Sequence, residues 1–297
     1  MKNIILSTFI LLLPLKSLES QEWFTNFDIA KRLALVQDKM LFVVWEESLF
    51  QRYPLTYNTA EGDMIITDLS QDNSFDELIW EYFVPVLLPE SAYEKIRQTS
   101  EGRSAEYLAK LNDDSIKIMD VNMNIFNSND PFNFEQNLSK IIKTYSLRTT
   151  LIKQDLTNYL KHKNFTTAFN LASKYLDLAM FVETDAREEI VVLANIYFNE
   201  SIAFLDKTKT DNREAYLQRI KLLSIKESLL LNAGKKAKRQ LKKLVISDIN
   251  KINIQLYDFL KYTTFMCLGD NDSAALHLSK LSNVNIKKAN LIIKMNN

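Results

Sequence analysis

Two patterns of hydrophobic spacing divide the chain near residue 134. Before it, short apolar runs alternate with helix-like stretches; after it, apolar residues recur every three or four positions almost to the end. In the first part, Ile29, Leu33, Leu35, Val36 and Met40 approximate one helical face, with Asp28 placed to cap its start. Leu41 to Trp45 follows as a short apolar strand closed by a Trp. Residues 50–74 read as polar and irregular, interrupted by Met64, Ile65 and Ile66. Phe75, Leu78, Ile79, Tyr82 and Phe83 predict a helix, and Val84 to Leu88 a second strand in which Pro85 requires the start or an edge. Tyr93 to Lys110 reads as helical with a break at Gly102, and Ser115 to Val121 as a strand. Asn122 to Asn124 then predicts a hairpin turn into Ile125 and Phe126, because Asn tolerates positive φ.

From Phe134 onward the spacing predicts helices over about 134–162, 165–182, 185–206, 211–232, 235–246, 248–268, 271–281 and 284–295. Short connections between them imply antiparallel neighbours, hence an all-α stack of hairpins. Only four Gly and five Pro in 297 residues fit long helices better than a turn-rich β sandwich or barrel.

Charge sharpens the division. Residues 21–133 carry 20 acidic and 9 basic side chains, whereas 134–297 carry 16 and 26, although the whole chain is neutral. The halves are therefore expected either to dock on each other or to present the basic half to an anionic partner. At the N-terminus, Lys2 precedes a nearly continuous apolar run from Ile4 to Leu13, too short to span a bilayer. That is the pattern of a cleaved signal peptide over residues 1–20, which implies an exported protein, periplasmic or extracellular, with no transmembrane segment after cleavage. Cys267 is the sole cysteine, so an internal disulfide is impossible, and its apolar flanks suit a small core residue.

The candidate chemistry is sparse. Glu46 and Glu47 sit at the end of the Trp strand, where paired carboxylates could do acid–base work if burial raised one pKa; solvated loop carboxylates are the plainer reading. Asp120, Asn122 and Asn124 have the alternate spacing of a calcium loop, but Ile125 replaces its Gly and Pro131 its final Glu, so a plain turn is expected. His162 and His277 lack ligand-spaced partners, which argues against zinc, and no Gly-rich phosphate loop exists. Lys235, Lys238, Arg239 and Lys242 share one helical face, suited to phosphate, anionic lipid or the acidic half; a solvated face is the plainer reading.

The order of elements up to about residue 145 resembles a thioredoxin-like domain: helix, strand closed by Trp45, helix, strand, hairpin, helix. Lys39 before the Trp strand and the stretch Tyr82 to Val86 are similar to exported members of that superfamily. Its Cys-x-x-Cys would follow Trp45, yet the chain reads Trp45, Glu46, Glu47, Ser48, Leu49, so both sulfur positions are lost. Asp114 stands where the family's cis-proline is usual. Tyr159 with Asn164 to Ala168, and Phe265 with Gly269, Asp270 and Ala274, are similar to tetratricopeptide turns, without a regular 34-residue period and with a bulky Tyr175 at a small-residue position.

The resulting expectation is an α/β thioredoxin-like domain over 21–133 followed by an all-α helical-hairpin domain over 134–297. The implied role is non-catalytic: a redox-inactive, cofactor-free and metal-free protein that binds a protein or peptide partner in the cell envelope, not nucleic acid. The Trp45–Leu49 loop and the Lys235 face are its candidate binding surfaces. Two alternatives stand beside it. One is an accessory of envelope thiol–disulfide chemistry or client binding; the other is an enzyme of unrecognised type using carboxylates near Glu46.

Overall fold

The computed structural model describes residues 22–98, 100, 103–128 and 136–296. The expected export segment, Gly102 and the helix entry at Asp130 and Pro131 lie outside the described residues. The chain is a mixed α/β protein dominated by helix, with two three-stranded sheets.

The first sheet is built around β1 (Met40–Trp45), whose residues Met40 to Val44 are all buried on both faces. It pairs in parallel with β4 (Phe83–Leu88) and antiparallel with β5 (Lys117–Met119). Single bridges extend the order at each edge, Phe24 parallel to β4 at Val86 and Ile125 antiparallel to β5 at Met119. Pro85 fits because its carbonyl accepts the Phe24 N–H on the outer edge. The N–H that proline lacks would have pointed the same way, so the β1 ladder loses nothing. α1 (Phe27–Gln37) packs Ala30 and Ala34 onto the core, and small residues there allow close approach. Asn26, rather than the expected Asp28, caps it by accepting the Ile29 N–H; Asp28 instead pairs with Lys31 in the first turn.

The stretch read as irregular holds the second sheet. β2 (Pro54–Asn58) lies between β3 (Met64–Asp68), antiparallel to it, and β6 (Gln136–Asn137), parallel to it. Gly62, at a φ of 95°, makes the turn between β2 and β3. α2 (Asp76–Tyr82), α3 (Glu90–Gln98) and α4 (Ala105–Asn112) complete the acidic half.

The single long helix expected over 134–162 is instead β6, α5 (Leu138–Tyr145), a 3-10 turn at Thr149–Leu151 and α6 (Lys153–Lys161). The break has a tertiary cause. Asn137 caps α5 by accepting the Lys140 N–H, and beyond it Thr149 N–H turns aside to the Asp38 carbonyl at the end of α1. Ser139 and Asn58 exchange hydrogen bonds, so chain from both sides of residue 134 is tied into one sheet.

The remaining helices follow the expected order: α7 (Phe165–Leu178), α8 (Thr184–Asp206), α9 (Arg213–Leu230), α10 (Gly234–Lys242), α11 (Ile254–Cys267), α12 (Asn271–Leu278) and α13 (Asn283–Asn296). Both expected tight hairpins form. Asn164 and Thr167 make a capping box at the start of α7, and Ala168 is fully buried where α7 meets α6. Gly269, at a φ of 71°, ends α11 before Asp270 caps α12.

A buried polar knot joins the two halves. Asp120, 1% exposed after β5, accepts hydrogen bonds from the backbone N–H groups of Asn122 and Asn124, the Asn124 amide and the Tyr175 hydroxyl. Asn122 and Asn124 also donate to Tyr197 of α8, and Arg103 donates to Asn124 at 2.6 Å. Tyr175 and Tyr197 stack with centroids 5.6 Å apart. The expected turn is present, but Met123, not an Asn, takes positive φ (64°); the asparagines are occupied across the interface.

A second buried charge lies within the acidic half. Lys117 of β5 is 0% exposed, with its ammonium hydrogen-bonded to the Asp113 carbonyl, 3.4 Å from the Asp113 carboxylate and 5.7 Å above the Tyr93 ring. Burial outweighs Asp113 and brings the amine down to about 8.

Two outcomes follow from these buried groups. Tyr175→Phe removes a donor from a fully buried carboxylate and is expected to cost about 2 kcal/mol in urea unfolding, more than Tyr159→Phe, whose buried ring donates its hydroxyl to Glu200, which is only half-buried. For Lys117, the folded amine is neutral above about pH 8 while the unfolded chain still binds its proton. More protons on the unfolded state mean stability that rises with pH. That rise is expected from about pH 8 to about 9, before the Cys267 thiol and then the tyrosines of the unfolded chain ionise and oppose it, and Lys117→Met should flatten it.

Candidate functional site

The helical half contains a polar cleft of about 540 Å³ walled by four helices. Helical spacing makes each wall. α7 contributes Phe169, Asn170, Ser173, Lys174 and Asp177, and α9 contributes Arg219, Leu223 and Lys226. Gln255, Leu256 and Phe259 come from α11, Asn285 and Lys288 from α13, and Asp155 closes one end from α6. Positions three and four apart on one helix lie on the same side, so α7 and α13 turn polar side chains inward while α11 contributes mainly Leu256 and Phe259.

Charge in the cleft is unequal. Asp177 accepts from Lys226 on one oxygen and Lys288 on the other, each at 2.7 Å. Its burial alone would raise the carboxyl, but Lys226 and then Lys288 outweigh this and hold it below the usual carboxylate range. Arg219 lines the cleft and, through Nη1 alone, reaches the Ile252 carbonyl and the Asn253 side chain at a long 3.3 Å each. Lys174 and Arg219 thus face a single remaining carboxylate, Asp155. Phe169, Phe259, Leu223 and Leu256 supply apolar contact beneath this rim, and Asn170, Gln255 and Asn285 supply amides. Such a lining suits an extended polar chain carrying carboxylates, with amides for its backbone.

The surfaces expected from sequence are placed differently. Trp45 ends β1, and Glu46 to Phe50 form a 3-10 turn with both glutamates exposed. Trp45 is partly covered by Tyr93, with ring centroids 5.7 Å apart. Ser48 is buried, and Leu49 packs on the core while also lining a hollow of about 530 Å³ with Trp23, Leu69, Asp76 and Leu87. Glu46 and Glu47 are therefore carboxylates in water, as the plainer reading has them.

The basic face of α10 is only partly a solvent surface. Lys235, Arg239 and Lys242 are exposed, while Lys238 pairs with Asp270 at 3.5 Å and lies 5.6 Å above the Phe265 ring. Asp270 belongs to the helical half, so this contact does not join the opposed halves. Across the halves an ion pair instead links Lys153 to Asp38 at 3.0 Å.

Cys267 is half-buried rather than fully internal, and burial pushes its thiol up to about 11, far from a reactive thiolate. His277 Nδ1 lies 2.7 Å from Asp258 Oδ1, inside the helical packing. Among the described residues, no group of three or more His, Cys, Asp or Glu could hold a metal ion.

Sequence reading missed the cleft because its residues come from five helices spread from Asp155 to Lys288. The one available signal was that Asn170, Lys174 and Asp177 share a face of a helix whose other side is apolar. No protein-family model, curated protein or solved structure matches the chain.

The Asp177 cluster gives a sharp asymmetry. Asp177→Ala leaves the buried Lys226 without its counter-charge and is expected to cost about 3–5 kcal/mol. Lys226→Met, which removes the buried cation while Lys288 stays, should be close to neutral. Chemical denaturation of both variants at pH 7 checks the pair.

Proposed function

We propose that the protein is an exported, non-catalytic scaffold with a thioredoxin-like frame whose helical half holds a carboxylate-bearing polypeptide segment in the cleft between α7, α9, α11 and α13. The observation that carries this reading is the cleft's lining: Lys174 and Arg219 in cationic excess over Asp155, with amides between them and aromatic and aliphatic side chains below. A four-helix wall makes an elongated groove, which fits a chain better than a compact metabolite.

Support for the frame comes from strand order. Phe24, β4, β1, β5 and Ile125 run side by side, with β4 parallel and β5 antiparallel to the strand that ends in Trp45. That is the order the resemblance implies. Against a thiol function stand Glu46 and Leu49 at the two sulfur positions and a single distant thiol held protonated by burial. The enzymatic alternative loses its main support because Glu46 and Glu47 are both in water, without the burial that tunes an acid–base pair. Export rests on the residue 1–20 pattern.

Selection of a displayed library of random ten-residue peptides on the full chain tests the reading. Acidic sequences are expected to enrich, and the double change Lys174→Glu, Arg219→Glu should weaken a selected peptide by about tenfold or more. Those side chains are partly exposed and cap no buried charge, so the fold should hold. Peptides that bind the double variant as well as the parent would overturn the proposal.

A further inference from the structure

The outer strand of the second sheet is built to be paired, yet nothing in the chain's described residues pairs it. β3 is the edge of the order β3-β2-β6. Its hydrogen-bonding parity is fixed at both ends of the hairpin. Leu69 N–H donates to the Tyr53 carbonyl and Thr59 N–H to the Asp63 carbonyl, so the odd-numbered residues of β3 face β2. The N–H and C=O groups of Met64 and Ile66 consequently point outward, along the free edge.

The side chains on this edge are equally unusual. Met64, Ile65 and Ile66 are 59%, 45% and 53% exposed, three consecutive large apolar residues on a strand with both faces in water. Native edge strands are ordinarily guarded by Lys, Pro or a bulge. β3 has none of these, and its register with β2 is regular through all five pairs.

Charge selects the occupant. From Tyr53 to Glu94 the chain carries nine acidic residues and no Lys, Arg or His. Glu61 and Asp63 are exposed at the hairpin end of β3; at its other end Arg52 is taken up by Asp68 at 3.5 Å, with Asp72 exposed beyond. An anionic membrane is repelled by such a surface, and a second copy would bring the same acidic surface against it. We propose that β3 is an acceptor edge for β-strand addition, taking an extended segment of another protein that alternates apolar residues and is flanked by Lys or Arg. Main-chain hydrogen bonds to Met64 and Ile66 supply affinity, Ile65 and Ile66 contact alternate side chains on the two faces, and the acids attract the basic flanks. This site is separate from the helical cleft and does not depend on it.

The probe is a synthetic nine-residue peptide of alternating valine and threonine with two lysines at each end, compared with the same peptide N-methylated at alternate backbone nitrogens. Binding to the full chain is read by fluorescence anisotropy. The plain peptide is expected to bind, and N-methylation to weaken it by about tenfold or more, because donors to the edge are gone. Ile66→Pro should weaken it equally. Its lost N–H points outward, so the β2 ladder stays intact and an unchanged thermal melt is expected. Lys174→Glu should leave this affinity unchanged, which separates failure here from failure of the cleft. No binding up to about 1 mM, equal affinity for the methylated peptide, or self-association of the free chain that Ile66→Pro abolishes would each overturn the proposal.

Discussion

The carboxylate of Asp120 is the constraint on which the joint between the halves depends. It lies at the end of the strand that pairs with β1, so its position is set by the first sheet. It is also fully covered, and burial holds it above the usual carboxylate range even though the Asn124 amide, the Tyr175 hydroxyl and the backbone donors of Asn124 and Asn122 oppose the shift. A group so placed is tolerated only with every acceptor site satisfied. Three of its donors come from the turn, but the phenol comes from α7, and Tyr197 of α8 anchors the asparagine amides. Neither half can satisfy the knot without the other. Directional bonds of this kind fix orientation where apolar packing alone would allow sliding.

Asp177 meets the same problem with an opposite result. It too is largely covered, but its partners are two ammonium groups rather than amides and phenols, so its carboxylate is held ionised. The difference decides what each site can do. A carboxylate surrounded by neutral donors is a structural bolt. One flanked by two lysines, with Lys174 and Arg219 beyond them, organises a positive wall along an open cleft. The chain's charge division therefore has a local meaning: the basic half gathers cations along the cleft, and the acidic half leaves β3 with Arg52, at its Asp68 end, as the cation paired to it among the described residues.

Much of this frame is legible from hydrophobic spacing because it is locally encoded. The apolar run to Trp45, the helix at Asp76–Tyr82, the strand through Pro85 and both tight helical hairpins depend on residues close in sequence. What escapes reading is set by distant partners. Met64 to Ile66 seem an interruption in a polar stretch until β2 is placed beside them, since a short exposed strand has no buried face to pattern it. The spacing from Phe134 to His162 is helical, and only the Thr149 bond to Asp38 shows why it breaks. Asp120, Asn122 and Asn124 read as a turn or a failed calcium loop; their use appears only with Tyr175 and Tyr197, 55 and 73 or more positions away. Tyr175 looks too bulky for a helical crossing because its reason for being there lies in the other half.

The turn after Trp45 is shaped by what surrounds it. Leu49 packs against the core, whereas Glu46 is exposed to water. Among the described residues the Trp45 indole N–H and the Ser48 hydroxyl are buried without hydrogen-bond partners. Such unsatisfied groups each cost about 1–3 kcal/mol, so the turn is held by its surroundings rather than by its own bonds. The restraint comes from β1, clamped on both sides, and from Tyr93 against the Trp45 ring. Packing on both sides thus fixes the turn at the end of β1, while the β3 edge of the acidic half and the helical cleft of the basic half stay open to solvent.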